Sequence, residues 1–394
     1  MSNQVGLRLE RNGALDWLRA AAVSLVMLYH GNWAFKGLGI FAGLGWVGVD
    51  LFFVLSGLLV TQAWLRTPTW SAYLRRRAWR VIPAYYVTLL LAGCLVLLFS
   101  TGSHQILRIY SREAAFGFIY LSSLLPNLLL GPIWSLSVEV HFWLMLPLLV
   151  AGITRFSRRH PLKTLGGLFC LPILARVALL HYFPEAVGPW AFPDLAHLSG
   201  AFGEHIYTNT FAHMDAFLVG VWITVQGDSL KLRRPAVVAS LVVGAVTLVL
   251  SVPFKTYAPR PLPLVLFQFT GLAIGFGMLT ALCWTKGRAM VAPSVVCWLS
   301  ERVYSLYLGQ ALFFFVLSPV IVGSRHVGIF AQLLILGAYI ALSCAAGRLL
   351  YRWVEVPFRS GEILPSWWGK KKPLAGERGA GPGTPPKQEF QGQD

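Results

Sequence analysis

A succession of membrane-length apolar runs, interrupted by short clusters of arginine and lysine, is the feature that most restricts how this chain can fold. A helical run of about twenty apolar residues matches the hydrocarbon core of a bilayer. Such runs lie near residues 14–33, 46–65, 80–99, 132–151, 163–182, 209–226, 235–253, 262–283, 299–320 and 328–350. The pattern predicts an all-α polytopic membrane protein, a bundle of about ten transmembrane helices. Composition agrees, since 56% hydrophobic and 12% charged residues make a chain of 394 residues too apolar for a soluble globular protein.

In a soluble chain the net charge of +17 would suggest nucleic acid. Here topology places the charges first, because Lys and Arg concentrate in cytoplasmic loops. With the N-terminus inside, the inner segments hold Arg8 and Arg11, the group Arg66 to Arg80, Arg155 to Lys163, Lys231 to Arg234, and the basic C-terminal region. The outer loops hold only Lys36, Arg108, Arg112, Lys255, Arg260 and Arg325. Both termini are therefore expected in the cytoplasm of a multi-pass cell-membrane protein whose bulk partner is the lipid bilayer and not nucleic acid. An eleventh crossing within 104–131 would destroy this asymmetry, so that stretch reads as a connection with a short interfacial helix.

Residues 1–359 form the expected integral domain, and 360–394, rich in Gly, Pro and Lys, read as a disordered basic cytoplasmic tail. The first run lacks a small-residue cleavage site and is expected to remain as the first span. The outer loop 183–208 combines Glu185, Asp194 and Glu204 with Trp190, Phe192 and Phe202, a composition that suits sugar stacking or an interfacial aromatic belt. The five cysteines have no metal-type spacing, and neither a metal nor a tightly bound cofactor is expected.

Ionisable residues inside spans are costly and point to function. Arg19 and His30 lie eleven positions apart on the first span, a rotation of about 1100° and a rise of about 16 Å, so they share one face. Helix rise places His30 near the outer end of its span, Asp50 about 6 Å deep, and Glu139 and Asp215 about 10 Å deep. The four are predicted to meet in one cavity in the outer third. A histidine beside carboxylates has the makings of a general base, and His30 is the candidate, with Glu139 or Asp50 orienting its ring. His141 either joins that site or packs. At the inner side Arg77 and Arg80 share a helical face, and Arg75 and Arg76 accompany them. Two guanidiniums can hold phosphate in bidentate fashion, although basic clusters at cytoplasmic helix ends are also the ordinary topology signal. Arg19, which Asp16 can pair, lies on the same side and favours the binding reading.

Taken in order, these residues resemble the acyltransferase-3 family of integral membrane acyltransferases. Asp16, Arg19 and His30 match its opening motif; GVDLFFVLSG (Gly48 to Gly57) is close to its second-helix signature; Arg77 and Arg80 match its RxxR motif. IWSLSVE (Ile133 to Glu139), HMDAFLVG (His213 to Gly220), RVYSLYL (Arg302 to Leu308) and YRWVEVPFR (Tyr351 to Arg359) look like its later blocks. Two positions depart from the pattern: Val140 and His141 follow the glutamate, and Gln310 stands where a histidine often follows YSLYL.

The resemblance implies transfer of an acyl group, commonly acetyl, from cytoplasmic acyl-CoA to a hydroxyl of a sugar, glycan or glycosylated small molecule. It implies catalytic importance for Arg19, His30, Arg77 and Arg80. Arg76, Arg77, Arg80 and Arg19 are expected to bind the acyl-CoA phosphates, and Asp215, His141 and Trp134 to face the acceptor. A proton-coupled transporter is the rival from another class, because intramembrane His, Asp and Glu also build proton relays. A scaffold with buried ion pairs is a third.

Overall fold

The computed structural model describes residues 11–31, 43–99, 104–124, 131–157, 159–188, 202–254, 259–323 and 328–360. The tail expected beyond 360 and the centre of the outer loop, 189–201, lie outside the described residues.

A helix occupies each of the ten predicted segments: α1 (Gly13–Gly31), α2 (Val47–Leu65), α3 (Trp70–Phe99), α5 (Trp134–Ser157), α6 (Pro161–Tyr182), α7 (Asp215–Gln226), α8 (Arg234–Ser251), α9 (Leu262–Lys286), α11 (Val303–Gly323) and α12 (Ile329–Leu350). Between them lie α4 (His104–Phe118), in the connection where a short helix is expected, and α10 (Ser294–Glu301). Seven helices among the described residues are long and apolar enough to cross a membrane, namely α2, α3, α5, α6, α8, α9 and α12 with its C-terminal extension. The described residues are thus all-helical, and the protein is multi-pass. By contrast α7, at 12 residues, is only about 18 Å long.

Helix α3 begins ten residues before the predicted span, because the basic stretch is itself helical. Tyr73 is buried there, edge-on to Trp64 with ring centroids 5.3 Å apart. Arg77 and Arg80 are therefore two turns or more inside a helix and not in a loop before it. Helix α5 also starts away from the bundle surface, since Tyr120, Ser122, Ser123 and Ile133, which lead into it, are all buried.

The core is built around α2, which packs against α1, α5, α7 and α9. Phe53, Val54 and Leu58 have no accessible surface. Helices α2 and α7 approach closely through Gly57 and Gly220: a Cβ on either would come within 2.4 Å of a carbonyl oxygen on the other helix, Phe217 or Val54. Small residues at such a crossing let backbones meet. After α12 a π-helical turn, Tyr351–Glu355, and α13 (Val356–Ser360) bring the chain back to α3, where Phe358 stacks on Trp79 at 5.6 Å. The outward side chains of α8, Val238, Val242, Val246 and Val249 among them, are apolar, as a lipid-facing surface requires.

Candidate functional site

Arg19, Arg77 and Arg80 come from two helices to line one cavity of about 590 Å³, with Ser56, Glu139, Ser300 and Glu301 also in its wall. Arg77 lies 6.0 Å from the centroid of the Trp143 ring, and Glu139, one turn before Trp143, is flanked by Ser56 and faces both Arg77 and Arg80. Arg80 Nε is 3.9 Å from Glu355 Oε1, and Arg19 Nη1 is 3.7 Å from Asp16 Oδ1. Glu355 is buried, placed by the π turn and held by a 2.7 Å hydrogen bond from Ser305. The pairs are loose, so the guanidiniums keep donors directed at the cavity, a geometry suited to an anion with several oxygens. Arg76 does not join them. It is exposed, because one residue along a helix turns the side chain about 100° from the face of Arg77.

The cavity wall includes the end of α10, which is tied to α1. Arg11 donates to Asp16 at 2.5 Å and to Glu301 at 2.8 Å, and Ser300 donates to Asp16 at 2.5 Å.

A second cavity of about 360 Å³ adjoins the first, sharing Phe52, Val303 and Tyr304 with it. It is a nearly apolar slot between α1 (Ala22, Val23, Val26), α2 (Gly48, Val49), α5 (Ser135, Leu136) and α11 (Tyr307). Gly48 keeps it narrow, since a Cβ there would stand 2.5 Å from the Ala22 carbonyl oxygen. Its hydroxyls are engaged: Tyr307 donates to the Pro132 carbonyl at 2.7 Å and shares a 2.6 Å bond with Ser135. The α1 residues on this path, Arg19, Ala22, Val23 and Val26, fall on one helical face, and His30 is the next residue of that face, one turn beyond Val26. The Val26 carbonyl and the Gln310 amide are among the polar neighbours of the His30 ring.

The predicted meeting of His30 with Asp50, Glu139 and Asp215 does not occur. Glu139 belongs to the arginine cavity. Asp50 accepts from His213 Nε2 at 2.7 Å, and His213 Nδ1 donates to the Tyr207 carbonyl at 2.7 Å. The imidazole is thus held from both sides, by a carbonyl at one nitrogen and a carboxylate at the other. Asp215 binds Arg176 and accepts from Thr270 at 2.5 Å, while Arg176 also donates to the Ala212 carbonyl at 2.8 Å. All four ionisable side chains have no accessible surface. Buried charges have to find the nearest opposite charge, and for Asp50 and Asp215 that is His213 and Arg176.

Neither Trp134 nor His141 lines the two cavities described above. Trp134 is buried and stacks on His213, ring centroids 5.6 Å apart. His141 bonds Thr210 at 2.8 Å, which bonds Ser123 at 2.7 Å, so it fastens the entry to α5. Sequence reasoning does not single out Arg176, His213, Glu355 or Gln310 as site residues. Arg176 has a legible signal, an arginine in an apolar run; His213 and Glu355 stand inside the motifs HMDAFLVG and YRWVEVPFR.

Residues 12–352 match the family model described as an acyltransferase domain. A Staphylococcus aureus protein bearing the provisional name O-acetyltransferase is 25% identical over 90% of this chain, which spans 58% of that relative's length. The peptidoglycan O-acetyltransferase OatA of Listeria monocytogenes is 35% identical over 34% of this chain and 23% of its own. No solved structure matches the chain.

Proposed function

This chain belongs to the acyltransferase family whose domain spans its residues 12–352, and from that premise we propose that it is a multi-pass membrane O-acyltransferase, with about ten crossings and both termini in the cytoplasm. The donor is acyl-CoA, acetyl-CoA in the first instance, and the acceptor is a hydroxyl of a glycan. The observation that carries the reading is the alignment of the arginine cavity, the narrow apolar slot and His30 along one face of α1.

Arg77, Arg80 and Arg19 hold the donor phosphates at the cavity, with Glu355 and Glu139 setting the directions of the guanidiniums. The thin pantetheine arm runs along the slot and brings the thioester towards His30. His30 takes the proton of the acceptor hydroxyl as its oxygen attacks the thioester carbonyl. The new C–O bond forms, the C–S bond breaks, and the proton passes to the departing sulfur, so the imidazole ends neutral. The relatives' names motivate the acetyl group and the glycan. The anion-facing arginines favour this reading over a transporter, which has no use for them.

The test is transfer of labelled acetyl from acetyl-CoA to peptidoglycan glycan strands by the purified full chain. Wild type is expected to label the glycan, and His30→Ala to lose at least about 100-fold in rate. A folded His30→Ala protein with full transfer removes the base assignment. Uptake of substrate into proteoliposomes without acetyl-CoA would point to transport instead.

A further inference from the structure

With Asp50 committed to His213 and Glu139 in the arginine cavity, the orientation of His30 needs another source. Gln310 on α11 is the side chain that supplies it. It has no accessible surface, neither of its polar atoms meets a partner at ordinary hydrogen-bond geometry among the described residues, and the His30 ring is a polar group that it adjoins. It lies on the face of α11 that builds the donor path, since Val303, Tyr304 and Tyr307 wall the two cavities and Gln310 follows at the seventh position. Two of the helices that wall the path each carry one polar residue on that face beyond it: α1 carries His30 and α11 carries Gln310.

We propose that Gln310 is a positioning residue that holds the His30 ring in one tautomer and direction through a full proton-transfer cycle, an inference that rests on the reading of His30 as the base. The Val26 carbonyl can only accept, so it always asks for a ring N–H. A primary amide offers both an acceptor oxygen and a donor NH2. It can therefore partner the ring whether the imidazole is neutral or protonated, and it adds no charge. A carboxylate at this place would do something different, holding the imidazolium and withdrawing the base at neutral pH. Among the described residues, the titratable groups placed beside this turn of α1 are phenols: Tyr29 on α1, edge-on to His30 at 5.3 Å, and Tyr339 on α12, packed beside Gly31. Neutral neighbours on both helices suit a base that must cycle.

Two isosteric variants test this in the full-length protein in detergent, with acetyl-CoA as donor and peptidoglycan glycan strands as acceptor. Gln310→Glu is expected to move the acidic limb of the pH–rate profile upwards by about one pH unit or more. Gln310→Met is expected to lower kcat at least about tenfold with the KM for acetyl-CoA unchanged. The tautomer is read independently of activity by 15N NMR of histidine-labelled protein, with the His30 signal assigned by its loss in His30→Ala. A single-tautomer pattern in wild type that becomes mixed in Gln310→Met supports the proposal even where no acceptor is turned over. Wild-type pH profile, kcat and His30 signal in both variants, with His30→Ala inactive, overturn the role of Gln310 and leave the base assignment standing. Full transfer by His30→Ala overturns the base assignment itself, and the role of Gln310 with it.

Discussion

Two clusters of arginine and carboxylate are buried in this bundle, and they differ in how much of each charge is already used. In the cluster of Arg176, Asp215, His213 and Asp50, every ion has a close partner and the rings of Trp134 and Phe269 cover the histidine. In the cavity of Arg19, Arg77 and Arg80, the carboxylate contacts of Arg19 and Arg80 are 3.7 and 3.9 Å long, and these two side chains keep 30% and 39% of their accessibility. At low dielectric a tight pair has nothing left for a ligand, whereas a loose pair beside a cavity retains most of its capacity to bind an anion. The lesson is that an intramembrane charge is a pointer to function only when it opens onto space. The first cluster sets the positions of α2, α6, α7 and α9; the second is free to work.

The widest expected contrast comes from breaking the closed cluster. Asp215→Ala leaves Arg176 buried with its main counter-charge removed, and breaking such a pair costs about 3–5 kcal/mol. The expected outcome is poor yield of folded protein and a large fall in the thermal midpoint in detergent. An Asp215→Ala protein as stable as wild type would cancel the distinction between the clusters and return Asp215 to the residues open to substrate.

Opening the second cluster should do the reverse. Arg77→Ala removes a guanidinium that faces a cavity, so stability should change by no more than about 1 kcal/mol. Loss of a charge-assisted contact, about 1.5–3 kcal/mol, should weaken acetyl-CoA binding roughly ten- to hundredfold, as measured by calorimetry on the purified protein. Arg77→Lys keeps the charge and gives up the planar fork, so it should fall between. Wild-type affinity in both would remove Arg77 from the donor site.

Much of this contrast is legible in the residues alone. The apolar runs locate ten helices, seven of them long and apolar enough to cross a membrane among the described residues, and the face that Arg19 shares with His30 is the face that lines the arginine cavity and the apolar slot. What the residues conceal is depth and partner choice. Depth taken from helix rise groups Glu139 with His30, Asp50 and Asp215, but the packing of α5 places it in one cavity with Arg77 and Arg80. Helix rise brings Asp50 to the level of His30, yet its partner is His213, 163 positions away in sequence. Periodicity reports which face a side chain occupies; it does not report which of several buried cations a carboxylate will meet. Gln310 stands out in the sequence only as a departure from a family pattern, and its meaning comes from where α11 packs.

The finest test of the comparison concerns the strap on the cavity wall. Arg11 and Glu301 are roughly half exposed, at 46% and 43% of their accessibility, and an ion pair of that kind contributes at most about 1 kcal/mol. Arg11→Ala should therefore leave the thermal midpoint nearly unchanged. Arg11 is nonetheless the closer of the two cations that compete for Asp16, at 2.5 Å against 3.7 Å for Arg19. Once it is gone, Asp16 has Arg19 as its remaining cation and draws it away from the cavity, so the donor phosphates lose part of one guanidinium. The KM for acetyl-CoA should rise by a factor of roughly two to five with kcat preserved, a change equivalent to no more than about 1 kcal/mol. Asp16→Asn in the same background should restore the lower KM by releasing Arg19. A double variant that keeps the raised KM would mean that Arg11 acts on the donor directly and not through the competition for Asp16.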